Sequence, residues 1–393
     1  MRIVIAGGGI AGLSLALALK QALGAAASVV LADPGIDAAP KADSRAYAVA
    51  AGAQAMLETL GVWDAVSAKA QPMTEMAISD SRAGDAVRPV FLTFDGEVEP
   101  GRPFAHMVES AALTAELKAE CRRVGAELRP LGVRRFRVED DAVEIVFTEG
   151  APERAALLVA ADGARSRLRE QAGIGWVGWD YRQSGIVATI GHERPHHGLP
   201  LSDGGKLGHR SSIVWTERSE NVEPLLSLDA VDLLAEIETR FGLELGEIVL
   251  ESPMNAYPLG FGVARRFVDH RFALLGDAAH LIHPIAGQGL NLGLKDVAAL
   301  AEAIVDAARL GLDPGGLDVL EDYQKARRFD TVAMGAVTDG LNRLFSNDAT
   351  PLRLARDLGL GMVDRLPGLK RFFIREAAGV AGAPPRLLRG EAL

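Results

Sequence analysis

The chain has 393 residues, 48% of them hydrophobic and 24% charged, which is enough for two or three domains around a large core and close to globular averages. A net charge of −10 argues against nucleic acid as a general partner. The single cysteine, Cys121, excludes an internal disulfide and a CxxC redox pair, and no apolar run approaches the roughly 20 residues that a membrane span needs.

Arg2 to Ala6 reads as a short apolar strand. Gly7-Gly8-Gly9-Ile10-Ala11-Gly12 follows it in a G-x-G-x-x-G pattern, ahead of an Ala/Leu-rich helix with Leu13, Leu15, Leu17 and Leu19. In that setting Gly7 makes the turn, Gly9 admits a pyrophosphate, and Gly12 lets helix and strand close on each other. A second strand, Val29 to Ala32, ends at Asp33, 21 residues after Gly12, where an acid can accept hydrogen bonds from ribose hydroxyls. The pattern points to an adenine dinucleotide and leaves FAD and NAD both open. Glycines interrupt the apolar stretch from Ile3 to Leu19, so it is strand plus helix rather than a secretory signal, and the expected location is cytoplasmic.

Residues 1 to about 70 are expected to give a βαβ start and then helices, and Pro72 to Glu109 strands and loops. Ala111 to Gly125 has Leu113, Leu117 and Val124 on one helical face, with Cys121 a spectator near its end. Val133 to Thr148 predicts a hairpin turned at Asp140-Asp141. Leu157 to Ala161 is a strand running into Asp162-Gly163, with Ser166 and Arg169 on a following helix; an ordinary Asp-Gly turn is the competing account. Tyr181 to Pro258 holds more strands and a helix, Val231 to Phe241. The histidines at 192, 196 and 197 lack ligand-like spacing, and no metal site is expected.

Residues 276–296, GDAAHLIHPIAGQGLNLGLKD, gather Asp277, His283, Pro284, Gly287, Gln288, Gly289 and Asn291 into one strand-to-helix turn. The apolar run Arg271 to Leu275 leads in, and Leu290, Leu294 and Val297 lead out with helical period. Such a turn presents backbone N–H groups and the positive end of a helix dipole to an anionic or electron-rich ligand. A glycine-rich loop that merely turns the chain is the alternative. The last 53 residues carry nine Lys/Arg and five Asp/Glu, interleaved with leucines and phenylalanines. They read first as a helical cap on the main domain, and second as a peripheral membrane surface.

In this order, the three motifs resemble those of the single-component flavoprotein aromatic hydroxylases, and the run from His283 to Gly293 and on to Asp296 resembles the ubiquinone-biosynthesis hydroxylase branch. Asp43-Ser44-Arg45-Ala46 is similar to the segment whose Arg approaches the flavin, and Leu320 to Phe345 to the long helix near the family's C-terminal end. The resemblance implies an α/β fold: a Rossmann-like FAD-binding domain with a parallel sheet (1–70, 111–173 and 259–340), interleaved with a mostly antiparallel β-sheet substrate domain (71–110 and 174–258), plus a C-terminal helical segment (341–393). It implies that Gly7, Gly9, Ala11 and Gly12 hold the FAD pyrophosphate, Asp33 the adenosine ribose and Asp277 the ribityl chain. Asp162 and Gly163 are associated with FAD and the nicotinamide donor.

The implied activity is FAD-dependent hydroxylation of an aromatic ring, a polyprenylated phenol in ubiquinone biosynthesis, through a flavin C4a-hydroperoxide whose distal oxygen the electron-rich ring attacks. Pro284, Gly287, Gln288, Gly289, Leu290 and Asn291 would lie beside the flavin ring. Their backbone N–H groups can stabilise negative charge there, with Gln288 and His283 as candidate donors. His283 is as well accounted for as a structural histidine, and no general base for the phenol is identified. O2 is the co-substrate, and the electron donor is NAD(P)H or a reductase partner. The substrate side implies a lipophilic aromatic, and leaves open a peripheral contact with the inner membrane or a quinone-synthesis complex. Departures from the family pattern are Asp33 in place of Glu, Ala160 in place of Gly, Glu109-Ser110 in place of Glu-Asn, and a loop after Gly198 shorter by about a dozen residues. That short loop keeps two other readings in play: a flavin hydroxylase or oxidoreductase for another aromatic, and a non-catalytic flavoprotein of a quinone-synthesis complex.

Overall fold

The computed structural model describes residues 1–38, 45–73, 75–79, 90–95, 97–99, 101–194, 209–242, 245–284, 287–345, 368 and 375–393. Asp43, Ser44, the histidines at 196 and 197, the short loop after Gly198, Ile285, Ala286 and most of the basic C-terminal stretch lie outside the described residues.

A six-stranded sheet is built around Arg2–Ala6, whose Ile3, Val4 and Ile5 are fully buried, as expected of a strand covered on both faces. Ser28–Ala32 and Leu157–Ala160 pair with it in parallel on either side. Glu127–Arg129 extends the first flank and Phe272–Leu274 the second, both parallel, and Val268–Asp269 closes the edge antiparallel. Helix Ile10–Leu23 buries Leu13, Leu15, Leu17 and Leu19 and packs against helices Ser110–Arg123 and Gly289–Arg309. The expected hairpin forms from Val133–Val138 and Val143–Phe147.

The second large sheet is antiparallel. Its spine is the 17-residue strand Trp176–His192, flanked by Arg210–Arg218 on one side and by Asn255–Ala264 and Ile248–Leu250 on the other. Helix Ala230–Phe241 closes a separate small core with Ile186, Ile190, Trp215 and Ile237. A third sheet pairs Ala46–Ala50 with Ala105–Glu109, and the latter with Gln71–Met73. The N-terminal block therefore sends a strand into the 71–110 region, where local pattern had suggested only helices.

One connection joins the two large sheets. The chain leaves the parallel sheet at Leu274, turns through Gly276–Ala278, and pairs His280–Leu281 antiparallel with Gly262 and Val263 of the second sheet. It then enters helix Gly289–Arg309. Local pattern gave the strand and the helix but not the two-residue strand between them. The long helix Leu317–Phe345 runs behind this crossing, and Tyr323, fully buried, donates its hydroxyl to the Leu274 carbonyl at 2.9 Å.

Arg271 opens the crossing with φ +57 and is 4% exposed. Its guanidinium donates to the carbonyls of Asp140 and Ala156 and pairs with Asp313 at 2.6 Å, tying the hairpin tip to the loop before the long helix. In the described C-terminal part, Ala378, Leu387 and Leu388 are buried, and Arg386 pairs with Glu302 and Asp306 on helix Gly289–Arg309. That part is a cap. No helix among the described residues is long and apolar enough to cross a membrane.

Candidate functional site

Two kinds of glycine occupy the N-terminal motif. A Cβ on Gly7 would fall 2.1 Å from the Ala161 carbonyl oxygen, and one on Gly12 would fall 2.0 Å from the Gly7 carbonyl oxygen. These two close the strand–helix turn against the neighbouring strand. A Cβ on Gly9 meets nothing within 4 Å, and its φ of −72° is available to any residue. Gly9 therefore faces open space at the start of helix Ile10–Leu23, whose first turn has no acidic residue and no side-chain cap. Asp33 accepts from the amides of Gly8 and Gly35, both at 2.7 Å, which fixes its carboxylate beside the turn with acceptor capacity left over.

The 276–291 segment meets the N-terminal motif through small residues. A Cβ on Gly276 would lie 3.5 Å from the Ala11 Cβ and 3.9 Å from the Gly293 Cα, so first helix, turn and second helix come close at one point. Helix Gly289–Arg309 also begins without a capping side chain or an acid in its first turn, and a Cβ on Gly289 meets nothing within 4 Å. Leu290 is partly buried and packs on the main core. Asn291 is 3% exposed: its Oδ1 accepts from the Ala50 amide at 2.9 Å, and its Nδ2 donates to the carbonyls of Ala48 at 2.8 Å and Gly287 at 3.4 Å. The side-chain amide thus binds strand Ala46–Ala50 to the helix start, and what it offers a ligand is a fixed frame. The Gln288 side chain donates to the Ala377 carbonyl at 3.3 Å.

Arg45 directly precedes that strand. Its guanidinium lies over the Tyr257 ring at 5.1 Å, and the Ser110 amide donates to its carbonyl at 3.0 Å. Asp277 is open to solvent yet deep in the crossing between the two sheets. Lost hydration lifts its carboxyl above the ordinary range; His280 and Arg45 pull it down, and Asp296 adds to the rise. Pro284 is exposed, whereas His283 is 1% exposed with its ring edge-on to Tyr181, centroids 5.2 Å apart. Burial lowers the His283 pKa, with Asp339 opposing, so the ring is neutral at pH 7.

A residue without an assigned role in the sequence links two motifs. Arg169, 5% exposed, donates to the Ala164 carbonyl after Asp162-Gly163 and to the Ala278 carbonyl after Asp277, at 3.0 and 2.9 Å. It also stacks 4.0 Å from the Trp176 ring centroid. Ser166 caps the short helix Arg167–Gln171 by accepting from the Arg169 amide. Gly163 takes φ +83 and faces open space.

Behind the turn sits a buried charge cluster. The Asp296 carboxylate is fully buried and accepts from the Gly276 amide at 3.3 Å and from Arg327 Nε at 2.8 Å, with His280 Nε2 at 2.5 Å. Burial alone would raise its pKa, but His280 and Arg327 outweigh that and hold it below the ordinary carboxylate range. A cavity of about 750 Å³ lies between the last two helices and residues 376–389, lined in part by Lys295 and Arg327, and none of the candidate cofactor-binding or catalytic residues lines it. Cys121 donates to the Leu13 carbonyl at 3.3 Å, and burial pushes its thiol up to about 12, consistent with a spectator.

The arrangement fits an extended dinucleotide. Two uncapped helix starts suit anionic groups, Asp33 suits ribose hydroxyls, and the open faces of Gly9, Gly163 and Gly289 leave room where a side chain would intrude.

The FAD binding domain family matches residues 1–337. The chain is 43% identical to ubiquinone hydroxylase UbiL of Rhodospirillum rubrum, across 99% of this chain and 92% of that protein. It is 34% identical to 3-demethoxyubiquinol 3-hydroxylase of Escherichia coli, across 96% and 98%. Among solved structures, p-nitrophenol 4-monooxygenase PnpA of Pseudomonas putida shares the fold, with a TM-score of 0.78 and 20% identity over 97% of this chain and 98% of that one.

The two glycine classes separate experimentally. Gly9→Ala is expected to fold within about 0.5 kcal/mol of wild type but to lose flavin affinity, whereas Gly12→Ala is expected to cost roughly 1–3 kcal/mol in the apoprotein; urea unfolding beside flavin titration distinguishes them. Asp296, with its depressed pKa, contributes stability that is full above the unfolded carboxylate value, about 3.9, and is lost as pH falls through the lower folded value. Asp296→Ala should cost roughly 3–5 kcal/mol at pH 7, and Asp296→Asn should flatten the acid end of the stability–pH curve.

Proposed function

This chain belongs to the FAD binding domain family, and on that premise we propose that it is an FAD-dependent monooxygenase that hydroxylates an aromatic ring, a polyprenylated phenol of ubiquinone biosynthesis. The observation that carries the reading is the 276–291 crossing, which brings Asp277, the Gly289 helix start and His283 to the seam of the two large sheets, next to the Gly9 turn. Whole-length similarity to hydroxylases named for ubiquinone and demethoxyubiquinol supports the substrate class.

We assign the pyrophosphate to the helix start at Gly9 and Ala11, the adenosine ribose to Asp33, and the ribityl chain to Asp277 with Arg45 close by. Asp162 and Gly163 border the same groove. FAD, when bound and reduced by NAD(P)H or a reductase partner, supplies the activation of O2 and the transfer of one oxygen atom to the ring. The chain's own work is binding, orientation and exclusion of water. Amides at Gln288, Gly289, Leu290 and Asn291 would present the positive dipole end to charge developing beside a bound flavin, the Gly287 amide being spent on the Pro284 carbonyl at 2.8 Å, and Asn291 holds the helix start to the strand after Arg45. The His283 ring is neutral and therefore carries a single N–H, and Pro284 forms the exposed lip next to it. Residues 1–70, 111–173 and 259–340 form the cofactor side in this reading, and 71–110 and 174–258 the substrate side. The lipophilic substrate makes a peripheral membrane contact or a quinone-synthesis complex the natural setting.

Expression in a bacterium stripped of its own ring hydroxylases tests this. Mass spectrometry of quinone intermediates should show one accumulated prenylphenol replaced by a product one oxygen atom heavier. A soluble yellow protein with an unchanged profile contradicts the ubiquinone assignment, and a panel of phenols with and without prenyl tails, read by stimulated NADH oxidation, then distinguishes another aromatic substrate from a non-catalytic flavoprotein.

A further inference from the structure

The spine strand of the antiparallel sheet is irregular where it approaches the site. Its pairing with Asn255–Ala264 slips between Asp180 and Gln183. Within the slip, Arg182 sits at φ +54, its amide donating to Asp180 Oδ1 at 2.6 Å. A left-handed conformation is unfavourable for a residue with a side chain, and bulges and strained backbone cluster next to functional sites.

The neighbour here is Tyr181. Its hydroxyl donates to Asp339 Oδ1 at 2.8 Å on the long helix. Trp179 Nε1 donates to the same oxygen at 3.2 Å, and Arg343 pairs with the other carboxylate oxygen at 2.8 Å. Asp339 is therefore a three-way anchor between strand and helix. The ring of Tyr181, held at its far end, stands edge-on to His283 at an interplanar angle of 72°. Trp179, Tyr181 and Gln183 all reach the long helix, at Asp339 and Asn342, so ordinary period-two alternation turns the 181 side chain toward it and the slip leaves that facing unchanged. Burial and the Asp339 charge both push the phenol upward in pKa, so the hydroxyl remains a donor at working pH. An aromatic edge against a buried ring fixes the plane of that ring, because the contact geometry is directional.

We propose that Tyr181, turned toward the long helix by strand alternation and anchored there by Asp339, is the positioning residue that sets the orientation of the His283 ring in the candidate active site. The proposal rests on the reading of His283 and its neighbours as the wall of a monooxygenase site. It concerns orientation rather than proton transfer: Tyr181 touches neither substrate nor cofactor in this account.

The test uses the full-length flavin-loaded protein with ring-labelled histidine, the His283 signal being assigned by its absence in His283→Asn. Tyr181→Phe and Asp339→Ala should each displace the His283 ring signal, the first by removing the donor and the second by removing its acceptor. Asp339→Asn, which keeps an acceptor oxygen, should bring the signal back to the wild-type position. Product formation should follow the same order, falling about 10- to 100-fold in Asp339→Ala with the KM for the electron donor little changed. A His283 signal that stays in place in both Tyr181→Phe and Asp339→Ala overturns the proposal, as does a displaced signal with undiminished turnover. Absence of hydroxylation in the wild type would instead defeat the functional reading, and the histidine signals would still decide the positioning claim.

Discussion

A carboxylate with no exposure to water, Asp296, organises the crossing on which the site depends. Burying one charge is expensive, and the cost is offset only if its lone pairs are filled by good donors. Here one oxygen takes the Gly276 amide and His280, and the other takes Arg327 from the long helix. Three pieces of chain are therefore fixed by one group: the turn that leaves the parallel sheet, the short strand that joins the antiparallel sheet, and the helix packed behind both. An apolar residue at 296 could fill the volume but could not hold the Gly276 amide and Arg327 in register.

Small residues line the front of the same crossing. A Cβ added at Gly276 would come into ordinary contact with Ala11 and Gly293, and its φ of +57 independently favours glycine, so the two helix starts converge on one region. Their unfilled N–H groups then add, since helix dipole effects fall off within the first turn and only nearby ends reinforce each other. Arg169 ties the Asp162-Gly163 turn to the same place through two carbonyls. What the fold contributes to function is this convergence: charge acceptance on the parallel-sheet side, and an aromatic, half-buried wall from the antiparallel side.

Much of this was legible in the sequence where the determinants are local. Arg2–Ala6 and Ile10–Leu23 form as the apolar run, the glycine spacing and the leucine period require, and the strand and helix on either side of Asp277 follow the same logic. Pairing across long separations was not legible. Ala46–Ala50 has little pattern of its own and becomes a strand because Ala105–Glu109 lies beside it, and His280–Leu281 because Gly262 and Val263 do. Side-chain roles divide likewise. For Asn291 the motif points to the backbone N–H at a helix start, whereas the commitment of its side-chain amide to Ala48 and Ala50 depends on partners some 240 residues away and carries no local signal. The left-handed Arg182 and Arg271 carry no sequence signal, because arginine is not a residue that marks positive φ.

The central claim is that this chain moves one atom of O2 into an aromatic ring. The most direct measurement is turnover of the purified yellow protein with a prenylphenol, NADH or a reductase, and ¹⁸O-labelled O2, followed by mass spectrometry of the product. The account predicts one labelled oxygen atom per product molecule and none from labelled water. Product oxygen drawn from water, or NADH consumed with hydrogen peroxide as the sole product across the phenol panel, would contradict it.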